Sequence, residues 1–121
     1  MELHGDLTRA RCSRDGAAVE RWVEPRDGEP PHCEGCGAYL RPDVVWFGEL
    51  PYHMGRIADE LSRTDLFISI GTSGHVYPAA GLVAEARDRG ARTVELNLEP
   101  SQGSGLFDEA IHGPASKIVP A

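Results

Sequence analysis

The sequence predicts an α/β protein, on three observations. Two short apolar runs of strand length, residues 66–70 and 93–96, flank a segment of helical periodicity. A glycine-containing turn, Gly71-Thr72-Ser73-Gly74, follows the first run. Upstream lies a turn-rich, cysteine-bearing stretch of different composition. Strand, turn, helix and strand in that order make a βαβ unit with parallel strands.

The elements follow in order. Residues 9–39 are polar and broken by Asp15-Gly16, Asp27-Gly28 and Pro30-Pro31, which disfavours long regular elements. Residues 19–23 are expected to form a short strand. The run 44–48, between Pro42 and the glycine at 48, is β-branched and aromatic and predicts a strand or extended segment. Met54, Ile57, Ala58 and Leu61 fall at i, i+3, i+4 and i+7, an amphipathic helix. The run 66–70 has the near-continuous apolarity of a strand covered on both faces. Pro78 is expected to open a second helix, where a missing N–H is harmless, with Ala79, Leu82, Val83 and Ala86 as its apolar stripe. Gly90 is its expected C-terminal cap, and residues 93–96 lead into Asn97-Leu98-Glu99. Two parallel strands cannot make a stable sheet alone, so further strands or a partner are required.

Composition narrows the function. Hydrophobic residues are 40% and charged residues 26%, as in ordinary globular domains. The formal charge is −7 and no Lys/Arg-rich block occurs, which argues against nucleic-acid binding by phosphate neutralisation. An acidic surface suits basic, lysine-rich peptide partners. No apolar run approaches the roughly 18 residues that cross a bilayer, and the first residues have no secretory h-region. The expected compartment is the cytoplasm, where paired cysteines favour metal or redox work over disulfides.

Several residues carry chemistry. Cys33 and Cys36 have the CxxC spacing of a metal knuckle, and Cys12 is the natural third thiolate. A structural zinc needs four ligands, for which Asp15 and His32 are the candidates; the bland reading makes all three cysteines ordinary small residues. His4 carries the side-chain type that moves protons near neutral pH, although most lone histidines are structural. In α/β sheets ligands bind at the carboxyl ends of the strands, where Gly71, Thr72 and Ser73 stand at one end and Asn97, Leu98 and Glu99 at another. Glu99 has the chemistry to accept hydrogen bonds from ribose hydroxyls. Taken alone, such turns are as readily structural, and no GxGxxG motif is present.

Order and combination lift these signals. Leu3-His4-Gly5, Arg11-Cys12, Cys33-x-x-Cys36 and Leu40-Arg41-Pro42-x-Val44-Val45-Trp46-Phe47-Gly48-Glu49 occur in sequence. Gly71-Thr72-Ser73-Gly74-His75-Val76-Tyr77-Pro78, Val94-Glu95-Leu96-Asn97-Leu98-Glu99-Pro100 and Gly113-Pro114-Ala115-Ser116 follow. From its first residue almost to its last, the chain resembles the sirtuin family, most closely its bacterial CobB-type members. The resemblance implies the second half of a Rossmann-like parallel sheet with an inserted small zinc-ribbon-like module. It implies a catalytic-histidine segment at 1–8, the zinc-type module at 9–40 and the C-terminal part of the NAD-binding domain at 41–121.

It also implies an activity: NAD-dependent protein-lysine deacetylation or deacylation, with the acyl group transferred to ADP-ribose and nicotinamide released. His4 matches the base that deprotonates a ribose hydroxyl. Gly71, Thr72, Ser73, Asn97, Leu98, Glu99 and Ala115 match positions along the adenosine end of NAD. Val45, Phe47 and Gly48 match the segment that pairs with the acylated-lysine substrate as an added strand, and Cys12, Cys33 and Cys36 match the zinc module. The family's glycine-rich turn, Arg-containing loop and Gln-Asn-Asp cluster have no counterpart in these 121 residues. The isolated chain is therefore expected to turn over little or no substrate. The alternative is a non-enzymatic truncated sirtuin or zinc-module protein that binds acylated peptides.

Overall fold

The computed structural model of the chain describes residues 1–19 and 28–120. They form two compact units, Met1–Met54 and Gly55–Ala121.

The first unit is an antiparallel sheet of β1 (Gly5–Cys12), β2 (Ala18–Val19) and β3 (Leu40–Val44), in the order β2-β1-β3. The sequence reading did not anticipate β1. Its alternation is confined to its second half, where Ala10 and Cys12 point inward while Arg9 and Arg11 are only half-buried. Ala10, Cys12 and Leu40 form the small core, with Cys33, Cys36 and Ala38 against it. Of the expected strand at 19–23, Val19 ends β2 and residues 20–23 lie outside the described residues. The ladder of β3 begins before Pro42 and stops at Val44, so the run 44–48 leaves the sheet. It is not the expected strand or extended segment, because the chain turns at 46–49 with the Glu49 N–H bonded to the Trp46 carbonyl. Pro42 has no N–H to donate, and the register slips beside it, between Asp6 and Ala10 of β1. A proline is tolerated there because β3 is an edge strand among the described residues.

In the second unit the amphipathic helix is α1 (Met54–Leu61) and the first apolar run is β4 (Leu66–Ile70). A 3₁₀ turn at Ala79–Gly81 precedes α2 (Leu82–Asp88), so the helix proper starts a turn later than Pro78 suggested. Gly90 follows with φ +89°, the left-handed conformation that ends helices. β5 (Arg92–Asn97) runs parallel to β4, as the βαβ pattern requires. A third parallel strand, β6 (Glu109–His112), pairs with β5, and a single helical turn, α3 (Ala115–Ile118), closes the chain. β6 escaped the sequence reading because it is exposed along its length and carries no apolar run.

Leu61, Ala86 and Ala91 form the core of this unit, with Ile57, Phe67 and Leu82 packed on it. The helices cover the sheet face that carries Phe67. On the opposite face the ladder aligns Leu66, Ile68 and Ile70 of β4, each about half exposed, with the ladder partners Val94, Leu96 and Ile111. The two-sided burial expected for residues 66–70 is therefore not met within these residues: β4 buries one face only. No helix of the described residues is long and apolar enough to cross a membrane.

Candidate functional site

Three groupings collect the residues that the sequence singled out. In the first unit, Cys33 and Cys36 sit on a tight knuckle. The Gly37 N–H donates to the Cys33 carbonyl (2.8 Å) and the Cys33 N–H to that of Ala38 (2.7 Å). Cys12, at the end of β1, brings the third thiol. Its Sγ lies 3.4 Å from that of Cys36, and all three Sγ atoms lie within 4.8 Å of one another. Tetrahedral zinc with Zn–S near 2.3 Å separates its sulfurs by about 3.8 Å, so the cluster matches a metal's donor geometry with one position to spare. Backbone N–H groups of Cys36 and Gly35 hold the Cys33 thiol below its ordinary pKa. Cys12 is pulled down by the Asp15 and Arg14 N–H groups, but burial, the Asp15 carboxyl and Cys36 outweigh them and raise it.

Neither candidate fourth ligand joins this group. The His32 Nδ1 lies 2.9 Å from the Gly37 carbonyl and its ring packs against Tyr39 at 4.6 Å, tilted by 38°, so it braces the knuckle. Asp15 accepts the Ala17 N–H (2.9 Å) and neighbours only Cys12. The structure therefore brings together three thiols that could hold a metal ion: Cys12, Cys33 and Cys36.

The second grouping is the approach of Leu3-His4-Gly5 to the end of β3. The His4 carbonyl accepts the Val45 N–H (3.0 Å) and the Leu3 carbonyl accepts that of Tyr52 (2.9 Å). Gly5 has φ +84°, and a Cβ there would stand 1.9 Å from the Asp43 carbonyl oxygen, so only glycine permits the approach. The buried Asp43 anchors the crossing: its Oδ1 accepts the Tyr52 hydroxyl (2.7 Å) and its Oδ2 accepts Arg9 Nε (3.3 Å). Arg11 also donates to the Tyr52 hydroxyl. Burial, and next the Asp43 carboxylate, raise the Tyr52 pKa. The His4 side chain is left exposed, Val45 is half-buried, and the Phe47 side chain is fully exposed at 103%. Among the described residues β3 is a sheet edge beyond Leu40, and an open edge is what an added peptide strand requires. The segment after it turns back at 46–49, where the Glu49 N–H donates to the Trp46 carbonyl (3.0 Å).

The third grouping lies at the carboxyl ends of the three parallel strands. The Gly71 N–H donates to the Leu96 carbonyl (3.0 Å) with φ +63°, and nothing lies within 4 Å of where a Cβ would point. Asn97 Nδ2 donates to the Thr72 carbonyl (2.7 Å), tying the two turns together, and its Oδ1 accepts the Leu98 N–H (3.1 Å). The Asn97 carbonyl in turn accepts the Gly113 N–H (2.9 Å), which brings Ala115 at the start of α3 to the same edge. Ser73 joins through its carbonyl and the Gln102 N–H (3.1 Å). Gly71, Thr72, Ser73, Leu98, Glu99 and Ala115 are exposed, which leaves their groups open to a ligand.

The sequence reading missed Glu95, which is wholly buried within β5. Its Oε1 accepts the Ser101 N–H (3.3 Å) and its Oε2 accepts the Ser104 hydroxyl (2.6 Å), with His112 Nε2 at 3.2 Å. Burial pushes this carboxyl upward, but the hydrogen bonds from Ser101, Ser104 and His112 together hold it below the usual range. A charged residue between Val94 and Leu96 in an apolar strand was the available signal.

Comparisons agree with the motif reading. The Sir2 family model matches residues 1–78. The chain is 52% identical over 120 residues to an NAD-dependent protein deacylase of Escherichia coli K12, covering 99% of this chain and 43% of that protein. It is 50% identical over 122 residues to the NAD-dependent protein deacylase SIR2rp3 of Leishmania major, covering 99% and 50%. The chain thus spans about half the length of these curated relatives, or less. Among solved structures, a Sir2 homologue–NAD complex superposes with a TM-score of 0.86 at 35% identity, covering 96% of this chain and 46% of that one. Sir2Af2 bound to a myristoylated histone peptide gives 0.77 at 34% identity, covering 98% and 52%.

Proposed function

This chain belongs to the Sir2 family, and from that premise we propose that it carries the adenosine-side, peptide-docking and catalytic-histidine elements of an NAD-dependent protein-lysine deacylase. The observation that carries the reading is the joining of Gly71-Thr72-Ser73, Asn97-Leu98-Glu99 and Gly113-Pro114-Ala115 at one carboxyl edge of a parallel sheet. That is where α/β sheets bind nucleotides. The exposed backbone N–H groups and hydroxyls of Thr72 and Ser73 suit phosphate and ribose oxygens, and the Glu99 carboxylate suits ribose hydroxyls.

NAD in this role is a co-substrate that accepts the acyl group on its ADP-ribose portion and loses nicotinamide. His4 is the base that takes a proton from a ribose hydroxyl. Its backbone is fixed through Val45 and Gly5, while its imidazole is free of the core. Val45, Phe47 and Gly48 receive the acyl-lysine peptide along the β3 edge. Cys12, Cys33 and Cys36 would hold zinc as a structural ion, with no part in the chemistry. Three free thiols fit a reducing, cytoplasmic setting. The non-catalytic alternative has no observation in its favour.

The test is titration of the ¹⁵N-labelled chain with ADP-ribose. Amide shifts are expected at Gly71, Thr72, Ser73, Leu98, Glu99 and Ala115, and their loss in Asn97→Ala. Shifts absent from these positions at millimolar nucleotide would refute the adenosine-side reading. In the whole protein, His4→Ala should cut release of the deacylated peptide by at least about a hundredfold, the usual worth of a general base.

A further inference from the structure

The segment 45–49 has no ladder to hold it, yet it does not hang free. Arg41, in β3, donates through Nη1 to Glu49 Oε1 (2.5 Å) and through Nη2 to Oε2 (2.8 Å), a two-pronged ion pair. The same Nη2 donates to the Val44 carbonyl (2.7 Å), where the strand ends. The guanidinium carbon stands 3.5 Å from the centroid of the Trp46 ring, a stacked cation–π contact. Glu49 closes the loop from the other end. Its Oε2 also accepts the Trp46 N–H (2.9 Å), and its own N–H donates to the Trp46 carbonyl (3.0 Å). Gly48, at φ +88°, permits the reversal.

The consequence lies in what this arrangement leaves outward. Trp46 is drawn onto Arg41, Phe47 is left wholly exposed, and Val45 stays bonded to the His4 carbonyl. A backbone bond on one side and an ion pair on the other thus set where the exposed segment lies relative to His4. Most exposed ion pairs contribute little, but this one is bidentate, shares its arginine with an aromatic face, and involves a largely covered Arg41 side chain. The Arg41 hydrogen bonds, and next the Trp46 N–H, hold the Glu49 carboxyl down to about 2, so the pair stays charged throughout any assay range.

We propose that Arg41 and Glu49 are positioning residues for the acylated peptide: they lock Trp46, Phe47 and Gly48 in a docking-ready shape at fixed register to His4. This rests on the reading of Val45, Phe47 and Gly48 as the peptide-receiving segment. Glu49→Gln keeps the size and one hydrogen bond but loses the charge, and Arg41→Lys loses the fork.

In the whole protein, both variants should raise KM for an acetyl-lysine peptide about tenfold, the effect of one charge-assisted bond. kcat should stay within about twofold, because the proton-moving group is untouched, and KM for NAD should not change. The charge-swapped double variant, Arg41→Glu with Glu49→Arg, should recover part of the loss. In the 121-residue chain, amide exchange in Glu49→Gln should quicken at Trp46 to Glu49 while protection in β1 is retained. Phe47→Ala is run in parallel as the test of the segment itself. If Phe47→Ala raises peptide KM and Glu49→Gln does not, the inference falls and the peptide reading stands. If neither does, the peptide reading falls and takes the inference with it. Equal changes in kcat and both KM values, or loss of β1 protection, would mean a purely structural role and overturn the proposal.

Discussion

Replacing Glu95 by glutamine tests whether one buried carboxylate organises the carboxyl edge of the parallel sheet. The carboxylate accepts from the Ser101 N–H and the Ser104 hydroxyl and faces His112 Nε2. An amide keeps a single accepting oxygen and presents an N–H₂ at the other position. The Ser104 hydroxyl is able to rotate and accept from it, but Ser101 or His112 then loses its acceptor. Hydrogen bonds to charged groups contribute about 1.5–3 kcal/mol each, and a buried donor left unpaired costs about 1–3 kcal/mol. Allowing for the serine's rearrangement, the expected loss is about 2 kcal/mol. With a urea slope near 1.5 kcal/mol per molar, the unfolding midpoint should fall by about 1 M. The acid dependence supplies a second readout. Since the folded carboxyl titrates below its ordinary range, its contribution is present above the unfolded value of about 4.3 and disappears as pH falls through the folded value. The gap between wild type and Glu95→Gln should therefore be constant above about pH 5 and close toward acid. A midpoint shift below about 0.3 M, or a gap that widens in acid, would refute the reasoning.

Gly5→Ala should destabilise the first unit by about 2–4 kcal/mol in urea unfolding, from a left-handed backbone and a methyl driven into the Asp43 carbonyl. A loss below about 1 kcal/mol would show that β1 and β3 separate easily. Cobalt(II) titration of the reduced chain should reach one equivalent with thiolate-to-metal absorption. That absorption should vanish in Cys36→Ser and be displaced by zinc, and a chain that binds no cobalt would remove the metal reading of the three thiols.

The helix from Met54 to Leu61 and the strands around residues 66–70 and 93–96 were legible because their signals are local. The 3.6-residue stripe of α1 and the apolar runs of β4 and β5 each lie within one short window. The same holds for Cys33-x-x-Cys36, whose spacing states that two thiols share a turn, and for the edge residues at Gly71 and Asn97, which simply follow strands. β1 and β6 were not legible. A polar strand such as Glu109–His112 forms because β5 offers it a ladder, and β1 forms because β3 returns across some thirty residues to pair with it. Start positions shifted for similar reasons: Pro42 lies within β3 because that strand is an edge among the described residues, and α2 begins after a 3₁₀ turn.

By itself the sequence determined the family, the parallel pairing of β4 with β5, and the residue types proposed to meet a nucleotide, a peptide and a metal. Those properties are written in order and spacing along the chain. The fold alone decided that Glu95 is a buried anchor, that Gly5 is the one residue able to pass Asp43, that His32 braces the knuckle, and that Arg41 grips Glu49. Each depends on which distant backbone passes within a few ångströms, and burial and close approach have no signature in a single stretch of residues.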